Sequence, residues 1–249
     1  MKANTVAAAK GAAWYIGGWK IVRPRLGMWI LLCLAYWLIG IFLHILPFLG
    51  WLAFSLLMPG ITGGLFKAAH DWETGREPSF EHLIAAFKDP VIRNNVIILG
   101  AVGIGFNILS AALIFITIGG LGMHMLMHRA YLGLYSVVHL AVGAVFVSIL
   151  LLILALLFAS AMLYAIPLVM LTGTGPMEAM KLSIEACMKN VLSMTVYGLI
   201  YLLLGILTVF TLGLGLIMLM PITITSIYAS FKDIFSEETR PQHMPAGAA

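Results

Sequence analysis

The chain has 249 residues, of which 62% are hydrophobic and only 10% charged, and its mean hydropathy is +1.05. Soluble domains carry about a quarter charged residues, so a water-soluble enzyme or binding module is excluded for most of the length. No stretch is left over for a separate soluble catalytic domain of roughly 100 residues. The net charge of +4 would suggest nucleic acid in a soluble protein, but here the basic residues sit in short segments between apolar runs and read as topology signals.

Residues 1–26 hold Lys2, Lys10, Lys20, Arg23 and Arg25 among Ala, Gly, Trp and Tyr, with no apolar core leading to a small-residue cleavage site. No cleaved leader is expected, and the first span should direct insertion. Ala8 to Lys20 reads as a weak amphipathic helix, interrupted by Gly11, Gly17 and Gly18, with Trp14, Tyr15 and Trp19 suited to a headgroup interface. Roughly 20 apolar helical residues cross a hydrocarbon core of about 30 Å. Six runs are long enough, near 27–46, 48–67, 94–117, 137–171, 191–210 and 212–231. The fourth is too long for one upright crossing and is expected to tilt, or to bend at Pro167, where the ring removes a backbone hydrogen bond.

Between the second and third spans, Pro78-Ser79 offers a helix start, and Phe80, Leu83, Ile84 and Phe87 recur at the spacing of one helical face, opposite Glu81, His82 and Lys88. The group His70, Asp71, Trp72, Glu73, Glu77, Glu81 and His82 reads as a solvated connecting loop with no recognisable nucleophile. Asn107 in the third span is read as an interhelical hydrogen-bond partner, and Gly103-x-Gly105 and Gly119-Gly120-x-Gly122 as close helix packing or a loop. After it comes Met123-His124-Met125-Leu126-Met127-His128-Arg129. If that segment is helical, His124 and His128 share a face, and Met123 and Met127 add thioethers that suit Cu(I). Two imidazoles lack a third nitrogen ligand and Arg129 would repel a cation, so the segment reads first as an interfacial helix and no stoichiometric copper is expected. Further on, Pro176 opens another amphipathic segment with Met177, Met180, Ile184 and Cys187 on one side, and Lys181, Glu185 and Lys189 as i,i+4 neighbours. Cys33 lies in the first span and Cys187 in this polar connection, so no disulfide is expected.

With the N-terminus inside, thirteen of the fourteen basic residues fall in cytoplasmic segments and Arg129 alone lies outside. That asymmetry predicts cytoplasmic termini and an even number of spans in a bacterial inner membrane. The fold class expected is all-α, a polytopic bundle of about six spans with cytoplasmic amphipathic interfacial helices, forming a single membrane domain over 1–235 with a disordered cytoplasmic tail over 236–249. A threefold repeat of one interfacial helix plus two spans is also expected. Arg23-Pro24, Asp89-Pro90 and Lys189-Asn190 mark the passage from interfacial helix to span, and Pro59, Pro167 and Pro221 interrupt the second span of each unit. The middle unit is longer and should carry an insertion around 118–140.

The stretch Ala165-Ile166-Pro167-Leu168-Val169, with Gly175-Pro176-Met177-Glu178-Ala179-Met180-Lys181-Leu182-Ser183 and Asn190, resembles uncharacterised bacterial inner-membrane proteins similar to the membrane domain of some glycerophosphoryl diester phosphodiesterases. The resemblance runs from Gly11 to Phe235. It implies a six-helix membrane fold and no enzyme, because the phosphodiesterase chemistry of such proteins belongs to a separate soluble domain.

No Asp, Glu, Lys or Arg falls deep inside a span, which disfavours proton-coupled carriers and voltage sensors. The function expected is therefore a non-enzymatic scaffold or accessory subunit of a membrane assembly, with no catalytic residue and no cofactor. Its partners would be lipids and other membrane subunits or further copies of the chain, and no nucleic acid. A second reading is binding or passage of a lipid or other neutral apolar solute at helices hinged on Pro59, Pro167 and Pro221. A third is periplasmic copper handling at the Met/His segment.

Overall fold

The computed structural model describes residues 2–127 and 134–236, with the backbone alone for 121–122, 124–127 and 134–140. Among the described residues there is no strand, and six helices are long and apolar enough to cross a membrane. The order is α1 (Lys10–Val22), a 3-10 turn (Arg23–Arg25), α2 (Leu26–Ile45), α3 (Leu49–Glu73), a 3-10 segment (Phe80–Ile84), α4 (Ala85–Lys88), α5 (Pro90–Met127), α6 (Leu134–Thr172), α7 (Pro176–Lys189), α8 (Val191–Phe210) and α9 (Leu214–Phe235). A short helical element thus precedes each of the pairs α2–α3, α5–α6 and α8–α9.

Packing is concentrated at one end, the base, where the short elements lie. The largest fully buried side chains include Trp29, Leu65, Leu99, Tyr164, Leu168, Tyr228 and Ile234, each in the half of its helix nearest the base. There α3, α6 and α9 touch one another, with α2 against α3 and α9, and α5 against α3 and α6. Beyond the base the pairs run out as three apolar arms. In these arms Phe42 is 66% exposed, Phe115 77% and Leu203 61%.

The short elements fasten the base. The segment 80–88 lies on α3, α7 lies on α6, and α1 lies on α9. The first two contacts join neighbours in sequence, whereas the third joins the two ends of the chain. It is close because Gly18 faces the α9 backbone, where an added Cβ would stand 2.6 Å from the Ser226 nitrogen. Likewise a Cβ at Gly64 of α3 would overlap the carbonyl oxygen of His82. The N-terminal residues complete the closure. The Asn4 backbone N–H donates to the Ile234 carbonyl at 2.9 Å, and Asn190 accepts from the Val6 N–H at 2.8 Å while donating to the Asn4 and Ala186 carbonyls at 2.9 Å each.

Three expectations change. First, the insertion expected around 118–140 lengthens the two helices of the middle pair as far as the described residues go, and its residues 128–133 lie outside them. α5 continues through Gly119, Gly120 and Gly122 to Met127, and α5 and α6 have 38 and 39 residues against 20 each in α2 and α8. At 1.5 Å per residue, α5 is roughly 57 Å long, about twice the hydrocarbon thickness. Apolar helices tolerate glycine where no water competes for the backbone. Second, Phe80, Leu83, Ile84 and Phe87 do not share one environment. The tighter 3-10 winding over 80–84 leaves Phe80 and Ile84 about half exposed and buries Leu83, while Phe87 of α4 stands over Gly60. Third, the buried face of α7 is Ala179, Ser183, Ala186 and Cys187, about one residue round from the Met180 and Ile184 side. Small residues let α7 approach α6 closely.

Candidate functional site

Asp71 sits near the base end of α3 and is only 5% exposed. The expectation of a solvated loop fails here because the carboxylate is neutralised by neighbours. Lys67 Nζ lies at 3.4 Å, one turn back on the same helix, and Arg76 Nη1 at 3.3 Å. His82 Nε2 approaches at 3.3 Å from the 3-10 segment. Burying a carboxylate is costly unless it is paired and hydrogen-bonded, and Asp71 has both compensations.

Ser79, His82 and Asp71 stand in a row, with Ser79 Oγ 3.1 Å from His82 Nδ1. Those residue types suggest a hydrolytic relay, in which the imidazole must take the serine proton. Here the single Nδ1 lone pair accepts from the Ser79 backbone N–H at 3.1 Å, which leaves the proton on Nε2 to be donated to Asp71. The serine oxygen in turn accepts from the His82 backbone. The constellation is a capping box locked onto a buried carboxylate, and it fastens the 3-10 segment rather than activating the serine.

A second polar group lies where α3 and α9 meet. Glu73 accepts from Lys232 Nζ at 2.6 and 2.7 Å and from the Tyr228 hydroxyl at 2.9 Å. Nearby, Asp233 accepts from Trp14 Nε1 at 3.0 Å and pairs with Lys10 at 3.2 Å, tying α1 to α9. Ser183 of α7 enters the backbone of α6. Its Oγ donates to the Ser160 carbonyl at 2.5 Å and accepts from the Tyr164 N–H at 2.9 Å, the two groups that an unbroken helix pairs with each other. This insertion lies one to two turns before Pro167, so α6 has two local causes for bending. Cys187 lies on the same carbonyl, and burial pushes its thiol up to about 11 despite that hydrogen bond. Both cysteines are buried and free.

The three prolines sit within α3, α6 and α9, the helices that meet at the centre. Pro167 and Pro221 are buried and Pro59 is half-buried. Two apolar grooves flank the outer half of α3. One, of about 670 Å³, runs between α2 and α3 past Tyr36, Trp37 and His44, and the other, of about 260 Å³, passes Pro59, Asn107 and Phe158. They share Phe54 and Met58. Asn107 is not interhelical glue. It donates to the Gly103 carbonyl of its own helix at 3.0 Å.

For the Met/His segment, the backbone is helical through Met123, His124 and Met127, and Met123 is exposed, while the side chains of His124 and Met127 and the whole of His128 and Arg129 lie outside the described residues. Among the described residues no group of three or more His, Cys, Asp or Glu could hold a metal ion.

An all-α bundle with six apolar helices of this length defines a multi-pass helical membrane protein. Comparison with protein-family models, with curated proteins and with solved structures gives no match. Asn190, Ser183 and Asp71, which the sequence places at a span boundary, within an amphipathic segment and in a solvated loop, are among the side chains that hold the base together. The Lys67–Asp71 spacing of i,i+4 and the position of Asn190 at the start of a span were the legible signals.

Proposed function

We propose that the chain is a non-enzymatic protein of a bacterial inner membrane, with the base and both termini cytoplasmic, that serves as a scaffold or accessory subunit. The base would place the arms, and the arms would hold the partner, either another membrane subunit or a second copy. One observation supports this reading above others. The centre, where α3, α6 and α9 meet, is filled by Leu65, Tyr164, Leu168 and Tyr228, all fully buried, while the arms expose large apolar side chains all round. A filled centre suits a part that holds others in place. The cytoplasmic base follows the distribution of Lys and Arg. The contact of α1 with α9, matching those of 80–88 with α3 and of α7 with α6, supports descent from a threefold repeat.

A second reading has its own observation. The grooves beside Pro59 share Phe54 and Met58 and have apolar walls, which suits binding of a hydrocarbon chain. Extraction of the native membrane into polymer-bounded discs, followed by mass measurement of the particle, separates the two. The scaffold reading expects a stoichiometric protein partner or a second copy, weakened by Phe115→Ala with Phe146→Ala on the middle arm. A single chain with one retained lipid would replace it by the second reading.

A further inference from the structure

The cleft beside Asp71 has a use that the fastening of the 3-10 segment does not exhaust. It measures about 620 Å³ and lies between α3, the segment 79–89, the start of α5 and Met170 of α6. Its charges balance. Lys67, Arg76 and Lys88 line it together with Asp71, Glu77, Glu81 and Asp89, and Arg25 pairs with Glu77 at its edge, so four cations meet four carboxylates. Beside this polar space Phe80, Ile84 and Val91 are 52%, 54% and 63% exposed. Met170, Ala85 and Ile92 add apolar wall inside.

We infer that this cleft seats the phosphoethanolamine headgroup of a membrane lipid, phosphate toward Arg76 and Lys88 and ammonium toward Glu77 and Glu81. A zwitterion adds no net charge to a balanced site, whereas an anionic headgroup would bring a surplus negative charge among four carboxylates. A primary ammonium offers three N–H donors to carboxylates, which a quaternary choline lacks. The ion pairs to be exchanged are weak ones. The Lys88–Glu81 pair opens to water on both sides and contributes little, and when Arg76 turns to the ligand the buried Asp71 keeps Lys67 and His82 as partners. The exposed Phe80, Ile84 and Val91 put apolar surface where the acyl chains leave the headgroup. The assignment goes beyond the scaffold reading and stands whether or not the arms carry a partner, because it is read by lipid titration rather than by particle mass.

The test uses the full chain in a neutral detergent, titrated with short-chain phosphatidylethanolamine, phosphatidylcholine and phosphatidylglycerol of equal chain length, and with water-soluble phosphoethanolamine. Stabilisation against heat is the readout, since a ligand that binds only the folded chain raises its melting temperature. Phosphatidylethanolamine should bind about tenfold more tightly than either other lipid, and Arg76→Gln with Lys88→Gln should abolish the preference while Lys181→Gln on α7 keeps it. Arg76 is one of three partners of the buried Asp71, so each variant is compared with its own lipid-free melting temperature, and the readout is the preference among the three lipids. Equal stabilisation by phosphatidylglycerol or phosphatidylcholine, or an unchanged preference in the double variant, would overturn the inference. Soluble phosphoethanolamine binding as tightly as the lipid would overturn the lipid as its source.

Discussion

Along α6, every residue from Ala161 to Met170 is buried or half-buried, whereas Phe146, Leu152 and Leu156 are 59–69% exposed on the same helix. Hydrophobicity does not distinguish the two stretches, since both are apolar. Their polar side chains do. Along the middle arm the hydroxyls and amides turn back on their own helix: Thr117 donates to Leu113, Ser148 to Ala144 and Asn107 to Gly103. At the base they reach across: Ser183 to α6, Tyr164 to Ser230 of α9, Tyr197 to Ser226, and Asn190 to the N-terminal chain. In lipid, apolar side chains gain little by leaving hydrocarbon for one another, so helices associate where small residues permit approach and polar groups pair. The base uses both devices to join one pair to the next, whereas in the arms close approach at Gly50 to Leu43 and at Gly215 to Thr208 only closes a pair on itself, which leaves the outer faces of the arms free to meet lipid or a partner.

Substitutions at the two ends should therefore behave differently. The largest effect is expected for Gly64→Val, which drives a branched side chain into the His82 carbonyl and should cost about 3 kcal/mol, read as a fall in melting temperature in detergent. A near-parental melting curve would show that the 80–88 segment can lift off α3 and that the base is not close-packed there. Next comes Asn190→Ala, which strips the two hydrogen bonds that tie Asn4 and Val6 to the end of α7 and a third to the Ala186 carbonyl, and should cost about 1–3 kcal/mol. Limited proteolysis sharpens it, because the variant should be cut within residues 2–10 under conditions where the parent stays whole. Ser183→Ala should cost about 1 kcal/mol, since α6 can then close its own hydrogen bond between Ser160 and Tyr164. In the arms, Gly105→Ala and Gly198→Ala meet open space and should change stability by no more than about 0.5 kcal/mol. If either weakens assembly in the native membrane while leaving the isolated chain intact, a partner helix lies against that glycine. Last, Cys33 and Cys187 should both resist alkylation by maleimide until the chain unfolds, because each is buried and burial keeps the Cys187 thiol protonated.

The long helices were legible because apolar length alone marks a span, and six runs stand out without reference to tertiary contacts. What lay at their ends was harder to read. Gly11, Gly17 and Gly18 counted against a helix by propensity, yet the approach of α1 to α9 depends on Gly18. The face of α7 was assigned to its larger side chains, while the protein buries the smaller ones, because the backbone of α6 rather than an open lipid surface lies opposite. Asp71 looked solvated since its neutralisation needs Arg76 and His82 to fold back onto α3, which spacing along the chain does not specify. Gly119, Gly120 and Gly122 conceal the extent of α5, because glycines end helices in water more readily than in apolar surroundings.

The central claim, that the arms rather than the base are the surface of association, is tested most directly by a photo-crosslinking amino acid placed in the native membrane. Positions Phe115, Phe146 and Leu203 sample the arms, and Phe235, buried at the base, serves as the comparison. Discrete protein adducts of defined mass from at least one arm position, with only intrachain products from Phe235, are the result the account predicts. Lipid adducts alone from all three arm positions would contradict it.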